Sequence, residues 1–212
     1  MPGRFALTAA PESVARCFGL AAIDDFPPRP AILPTQPIMV VLGGRAERAE
    51  AFADGPAAQL VRWGLIPGWF KATDRLPAMF NAPAETAAGN PAFRGAMRHR
   101  RCLVPATAFY RRTGGRSRTG PLSRFSIEDM PVFAMAGLME PYMAPDGSEI
   151  DTAAILTVPA RAPDAGLVDR LPVILRPEDF GRWLDCRHRE PGDVADLFRP
   201  FCAADFSVET AG

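Results

Sequence analysis

The chain has 212 residues, 48% of them hydrophobic and 23% charged, and its 24 basic side chains balance 24 acidic ones. That is the profile of a soluble domain with a substantial core. No run approaches the roughly 20 apolar residues a membrane span needs, and Met1-Pro2-Gly3-Arg4-Phe5 lacks the basic-then-apolar start of a signal peptide, so a cytoplasmic monomer folded as one domain over 1–212 is expected.

In chain order, a helix is expected after Thr8, with Pro11 in its first turn and Val14, Cys17 and Phe18 inward. Pro27-Pro28-Arg29-Pro30 forces an extended segment. Ile38 to Leu42, ending at Gly43-Gly44, reads as a buried strand and a turn. Leu60 to Ile66 reads as a strand stopped by Pro67-Gly68. Pro91 to Arg100 reads as a short basic helix with Phe93 and Met97 on one face.

Strands follow at 101–104, 108–112, 122–127, 132–138, 150–158 and 172–175, separated by Gly, Pro and Asp turns. Short helices are expected at 177–184 and 193–198. The 23 prolines, spread throughout, favour many short elements over long helices. The class is therefore α+β: a single β-rich domain with a curved, mostly antiparallel, barrel-like sheet and a few short helices.

Cys17, Cys102, Cys186 and Cys202 are far apart in sequence, form no C-x-x-C and read as small buried hydrophobes in a reducing compartment. Cys186-Arg187-His188 offers two metal ligands and nothing nearby completes a set, so neither a metal site nor a cofactor is expected. The zero net charge hides a strong asymmetry. Residues 86–127 carry nine arginines (94, 98, 100, 101, 111, 112, 116, 118 and 124) and no acid, whereas 128–212 carry seven arginines against sixteen acids. Two readings stand side by side. One is a solvated basic surface that pairs with acids of the last third. The other is a track of guanidinium groups for phosphates.

Several phrases resemble the SOS response-associated peptidase family, the abasic-site processing proteins. They include Gly3-Arg4-Phe5-Ala6-Leu7-Thr8, Pro34-Thr35-Gln36-Pro37 and Arg62-Trp63-Gly64-Leu65-Ile66-Pro67-Gly68-Trp69. Asn81-Ala82-Pro83-Ala84-Glu85-Thr86, Phe93-Arg94, Arg100-Arg101-Cys102-Leu103-Val104-Pro105-Ala106 and Phe109-Tyr110 follow in register. Phe133 to Leu138, Ile155-Leu156-Thr157 and Asp169 to Leu175 complete a likeness covering 3–185, which leaves 186–212 as an expected C-terminal extension with a short helix. The resemblance implies a β-rich domain with a positively charged groove for single-stranded DNA. It also implies a mechanism in which an N-terminal cysteine, exposed once Met1 is removed, captures the abasic aldehyde as a thiazolidine. An Asn, a Glu and a His of the pocket support that chemistry.

The departures fall on the chemical positions. The family cysteine is Pro2 here, the Glu of Gly-Phe-Tyr-Glu-Trp falls on Arg111 and its Trp on Arg112. The His of His-Asp-Arg-Met-Pro falls on Val168, and the Arg of Asn-Ala-Arg-Ala-Glu-Thr on Pro83. Asn81 is the pocket group that remains, and an amide orients but does not act as a base. A thiazolidine needs a thiol, so the family crosslink is not expected. The alternative is an active enzyme, through a residual peptidase-like reaction or through Pro2: removal of Met1 would leave a secondary amine, able to attack an abasic aldehyde as an iminium and cut the strand by β-elimination.

The expected function is thus binding of single-stranded or abasic-site DNA. By resemblance and charge, the candidate DNA-binding residues are Arg4, Arg62, Trp63, Trp69, Glu85, Arg94, Arg98, Arg101, Arg111 and Arg112. Arg111 and Arg112 turn an acidic pocket edge cationic, and reversing them is expected to weaken binding more than reversing Arg187 and Arg189. Trp63 and Trp69 either stack on a base or, for Trp63 above all, pack in the core. Glu85 and Asp169 also read as ion-pair partners of arginines, Asp169 with Arg170.

Overall fold

A computed structural model describes residues 3–43, 55–71, 79–114, 120–161 and 168–211. The chain opens with β1 (Phe5–Leu7) and α1 (Pro11–Phe18), followed by β2 (Arg29–Ile32), β3 (Pro37–Leu42) and β4 (Ala57–Trp63). Next come β5 (Asn81–Pro83), α2 (Ala84–Ala87), α3 (Arg94–His99), β6 (Arg101–Ala106), β7 (Ala108–Arg112) and β8 (Leu122–Ser126). The long hairpin β9 (Phe133–Met143) and β10 (Glu149–Pro159) leads to β11 (Arg170–Pro172), β12 (Ile174–Leu175), α4 (Phe180–Leu184) and β13 (Ser207–Thr210).

Five strands close on themselves: β3 pairs with β4 and β6, β6 with β9, β9 with β10, and β10 with β4. The β10–β4 step is parallel and the others antiparallel, giving a small mixed barrel. Closure buries the inward face, and α3, α4 and β1 pack on the outside, so β6 and the first seven residues of β9 are buried at every position rather than at alternate ones. It also explains Gly137, opposite Cys102, because a Cβ there would lie 2.8 Å from the Cys102 sulfur. A second, antiparallel sheet runs β13-β8-β7-β1-β2. The two meet where Phe5 of β1 packs edge-on against Trp63 of β4, ring centroids 5.1 Å apart.

The α+β class, the barrel-like sheet and the few short helices are as expected, with differences that have local causes. The strand expected to run on to Ile66 stops at Trp63, because Gly64 has φ +133 and turns the chain away. The strand expected over 172–175 starts at Arg170 and splits in two as it crosses the barrel, β11 on β10 and β12 on β9, with Val173 bonded to both walls. The helix expected at 177–184 is a 3-10 turn at Pro177–Asp179 followed by α4. The helix expected at 193–198 is a 3-10 turn, Pro191–Leu197. The segment after 185 is woven into the fold: β13 pairs with β8, and Phe206 packs edge-on against the stacked Phe109 and Phe125.

The charge asymmetry resolves in part into pairs. Arg98 meets Glu190, Arg100 meets Glu140, Arg111 meets Asp169 and Arg124 meets Glu209, each an arginine of the basic stretch with an acid of the last third. The reading of a self-neutralised surface therefore accounts for these four. Arg116 and Arg118 lie outside the described residues.

Candidate functional site

β10 organises the site from its C-terminal half. On one side β5 lies parallel to it, with Asn81 opposite Ile155 and Pro83 opposite Thr157; on the other β11 lies antiparallel, with Arg170 opposite Pro159. Arg170 reaches back across that strand. Its guanidinium donates to the Thr157 carbonyl at 2.7 Å and Nε donates to the Thr157 hydroxyl at 3.1 Å. The two Nη groups grip Glu85 bidentately at 2.6 and 2.7 Å, tying α2 to β11. That guanidinium holds the Glu85 carboxyl below its ordinary range.

Beside this clamp, Arg111 of β7 points inward and is paired with Asp169. Arg111 is 4% exposed, and Asp169 also accepts the backbone N–H of Arg170. Val168 and Asn81 are buried as well. The N-terminal strand joins the same wall: Phe5 stands opposite Phe109, the Tyr110 N–H donates to the Arg4 carbonyl at 2.9 Å, and the Arg4 guanidinium lies 5.5 Å over the Tyr110 ring. Register thus runs the segment ahead of Phe5 toward Arg111. Pro2, the nucleophile position of the resemblance, lies outside the described residues.

The arrangement is electrostatically compensated. Two arginines and two carboxylates, Arg111–Asp169 and Arg170–Glu85, neutralise each other in contact. The pocket edge expected to be doubly cationic is therefore not: Arg111 is buried and compensated, and Arg112 is exposed, with a long contact of 3.5 Å to the Gly120 carbonyl among the described residues. Arg170 pairs through its side chain with Glu85 rather than with the adjacent Asp169. The signal for Arg111–Asp169 was present in the sequence. The resemblance puts a carboxylate at Arg111, and Asp169 is an acid available to a cation there.

Other candidate DNA-binding residues divide by exposure. Trp63 has no accessible face: it is fully buried, donates its indole N–H to the Phe80 carbonyl at 2.8 Å, and belongs to the core. Arg101 is 2% exposed. Its guanidinium donates to the carbonyls of Met97, Trp183, Asp185 and Arg189 at 2.7–3.1 Å, so it holds protein rather than phosphate. Arg62 is half-buried and committed to the Gly64 carbonyl at 2.6 Å, and burial lowers its proton affinity. Trp69 is 61% exposed, its indole N–H resting 3.4 Å from the Pro91 carbonyl, and Arg94 is exposed close by at the start of α3. Among the described residues no group of three or more His, Cys, Asp or Glu is placed to hold a metal ion, and no helix is long and apolar enough to cross a membrane.

A sequence model described as SOS response associated peptidase (SRAP) matches residues 1–211. The abasic site processing protein YoqW of Bacillus subtilis is 30% identical over 213 residues, covering 98% of this chain and 91% of that protein. The abasic site processing protein HMCES of Gallus gallus is 28% identical over 163 residues, covering 66% of this chain and 48% of that protein. Among solved structures, a Bordetella bronchiseptica protein superposes with a TM-score of 0.78 at 23% identity, over all of both chains. A Bacteroides thetaiotaomicron protein gives 0.78 at 21% identity, over 98% of this chain and 90% of the other.

Proposed function

The chain belongs to the SRAP family, and from that premise we propose that it binds single-stranded or abasic-site DNA without forming the family's cysteine-dependent crosslink. One observation carries this reading. Where the resemblance puts a proton-transferring carboxylate and an imidazole, this chain has the Arg111–Asp169 ion pair and the buried Val168. A guanidinium stays protonated throughout the accessible pH range and a valine moves no proton, so neither supplies general acid–base chemistry. Position 2 is proline, which supplies no thiol to close a thiazolidine ring.

Binding retains more support. Trp69 offers an exposed indole, and Arg4, Arg94 and Arg112 present guanidinium groups outside the buried pairs. Phosphate contacts of this kind give sequence-independent, salt-sensitive affinity.

The deciding experiment incubates the protein with single-stranded DNA carrying one abasic site, with and without borohydride. A native gel should show a shift while a denaturing gel shows neither an adduct nor a cut strand. A borohydride-dependent adduct that vanishes when the N-terminal amine is blocked by acetylation would overturn this reading in favour of an enzyme acting through that amine.

A further inference from the structure

The guanidinium of Arg101 is buried, and its four carbonyl partners lie on two separate segments. Met97 belongs to α3; Trp183, Asp185 and Arg189 belong to α4 and the turn after it. Arg101 therefore staples α3 to the 185–189 turn and fixes how their outer side chains are presented together. The Asp185 carboxylate accepts the N–H groups of Arg187 and His188 and also touches the His188 ring, which spends it on the turn itself. Glu190 is held by Arg98 and by the cap of the following 3-10 turn.

What this leaves outward is basic. Arg94 on α3 and Arg187 and Arg189 on the turn are exposed, and among the described residues none has a carboxylate within 4 Å. Arg94 and Arg98 are four residues apart and share one face of α3, opposite the buried Phe93, Ala96 and Met97. The exposed indole of Trp69 sits at the other end of this ridge, against Pro91, the residue three positions before Arg94. The ridge runs about 9 Å along α3 before it reaches the turn. In chain order α3 follows α2, whose Glu85 is held in the clamp with Arg170.

We propose that this ridge, from Trp69 over Arg94 to Arg187 and Arg189, is a binding track for the phosphodiester backbone of a single DNA strand leaving the family pocket. The inference rests on the proposed function and extends it. It gives the strand a path and gives Arg101 the role of a positioning residue that never touches DNA. It also inverts the order expected from sequence, in which Arg111 and Arg112 outranked Arg187 and Arg189, because Arg111 is consumed by Asp169.

The test compares the wild type with R94Q/R187Q/R189Q, and with R16Q/R176Q/R199Q as a charge-matched control in three other exposed arginines. Binding is measured to abasic oligonucleotides of about 4 and about 16 nucleotides over a range of salt. The track predicts at least a tenfold loss (~) for the ridge variant on the long strand, with the slope of log affinity against log salt falling by about 2 for three lost contacts. The short strand and the control variant should be little affected. Equal losses in both variants, or on both lengths, overturn the track and leave only a general charge effect. Wild-type binding unchanged in the ridge variant overturns the track while leaving the proposed function intact. No binding by the wild type at either length overturns both.

Discussion

Arg111 of β7 and Asp169, just ahead of β11, form a largely buried ion pair where the family resemblance puts a carboxylate, at Arg111, and beside it, at Val168, an imidazole. The exchange keeps the site filled and changes its task. The contact holds β7 against the turn that leads into β11.

Breaking that pair from one side should be costly. Asp169→Asn leaves the buried Arg111 guanidinium facing a neutral amide and is expected to lose about 3–5 kcal/mol of stability. The double variant R111M/D169N, which removes both charges, should recover most of the loss. Urea unfolding of the two singles and the double gives the coupling energy. Additive losses would show that the contact is incidental.

The Glu85–Arg170 clamp has a pH signature. The folded Glu85 carboxyl titrates below its unfolded value of about 4.3, because the bound guanidinium favours the charged form. Its contribution is therefore complete above that unfolded value and disappears as pH falls through the lower folded one. Glu85 keeps 45% of its side-chain surface exposed, so solvent screening limits the contribution to about 1 kcal/mol or less. The stability difference between wild type and Glu85→Gln should be flat above about pH 5 and shrink toward zero in more acid solution. A difference that grows on acidification would contradict the assignment.

Arg101 was expected among DNA contacts and proves to be a staple, which yields a separate test. Arg101→Ala strips donors from four backbone carbonyls and should cost about 3 kcal/mol or more. Arg101→Lys should rescue little, since a compact ammonium cannot reach carbonyls spread around a planar fork. Hydrogen exchange should quicken first at 183–189. Uniform loss of protection across the barrel would mean that the residue supports the whole fold rather than this junction.

Much of the barrel was legible because its signal is local. Apolar runs bounded by proline and glycine set most strands of the second half to within a few residues, and Val14, Phe18, Phe93 and Met97 fell on the buried faces expected of them. Segments whose pairing is non-local were harder. β5 is three residues long and β13 is exposed at every position, so neither carries a hydrophobic period, and each exists only through its partner strand. The site was legible as positions but not as contacts. Residue types showed that the chemical groups at 2, 111 and 168 had changed, whereas which arginine meets which acid depends on strand register. Arg101 illustrates the limit: in sequence it is one more basic residue of a run, and its burial follows from carbonyls more than eighty positions away.

The two tryptophans of the Arg62 to Trp69 phrase separate stability from binding in one experiment. Trp63 is fully buried between Phe5 and Phe80, so Trp63→Ala opens a large cavity and should cost about 3–5 kcal/mol. Trp69 is mostly exposed, so Trp69→Ala should leave stability within about 0.5 kcal/mol of wild type. If its indole carries a stacked base, that same substitution should weaken single-strand binding by about tenfold or more, the equivalent of one lost stacking contact. Trp69→Phe keeps an aromatic face and should recover most of the affinity. Thermal melts and fluorescence anisotropy on the three variants read both quantities. Unchanged affinity in Trp69→Ala would remove the indole from the DNA surface, and equal destabilisation by Trp63→Ala and Trp69→Ala would contradict the placement of the two rings.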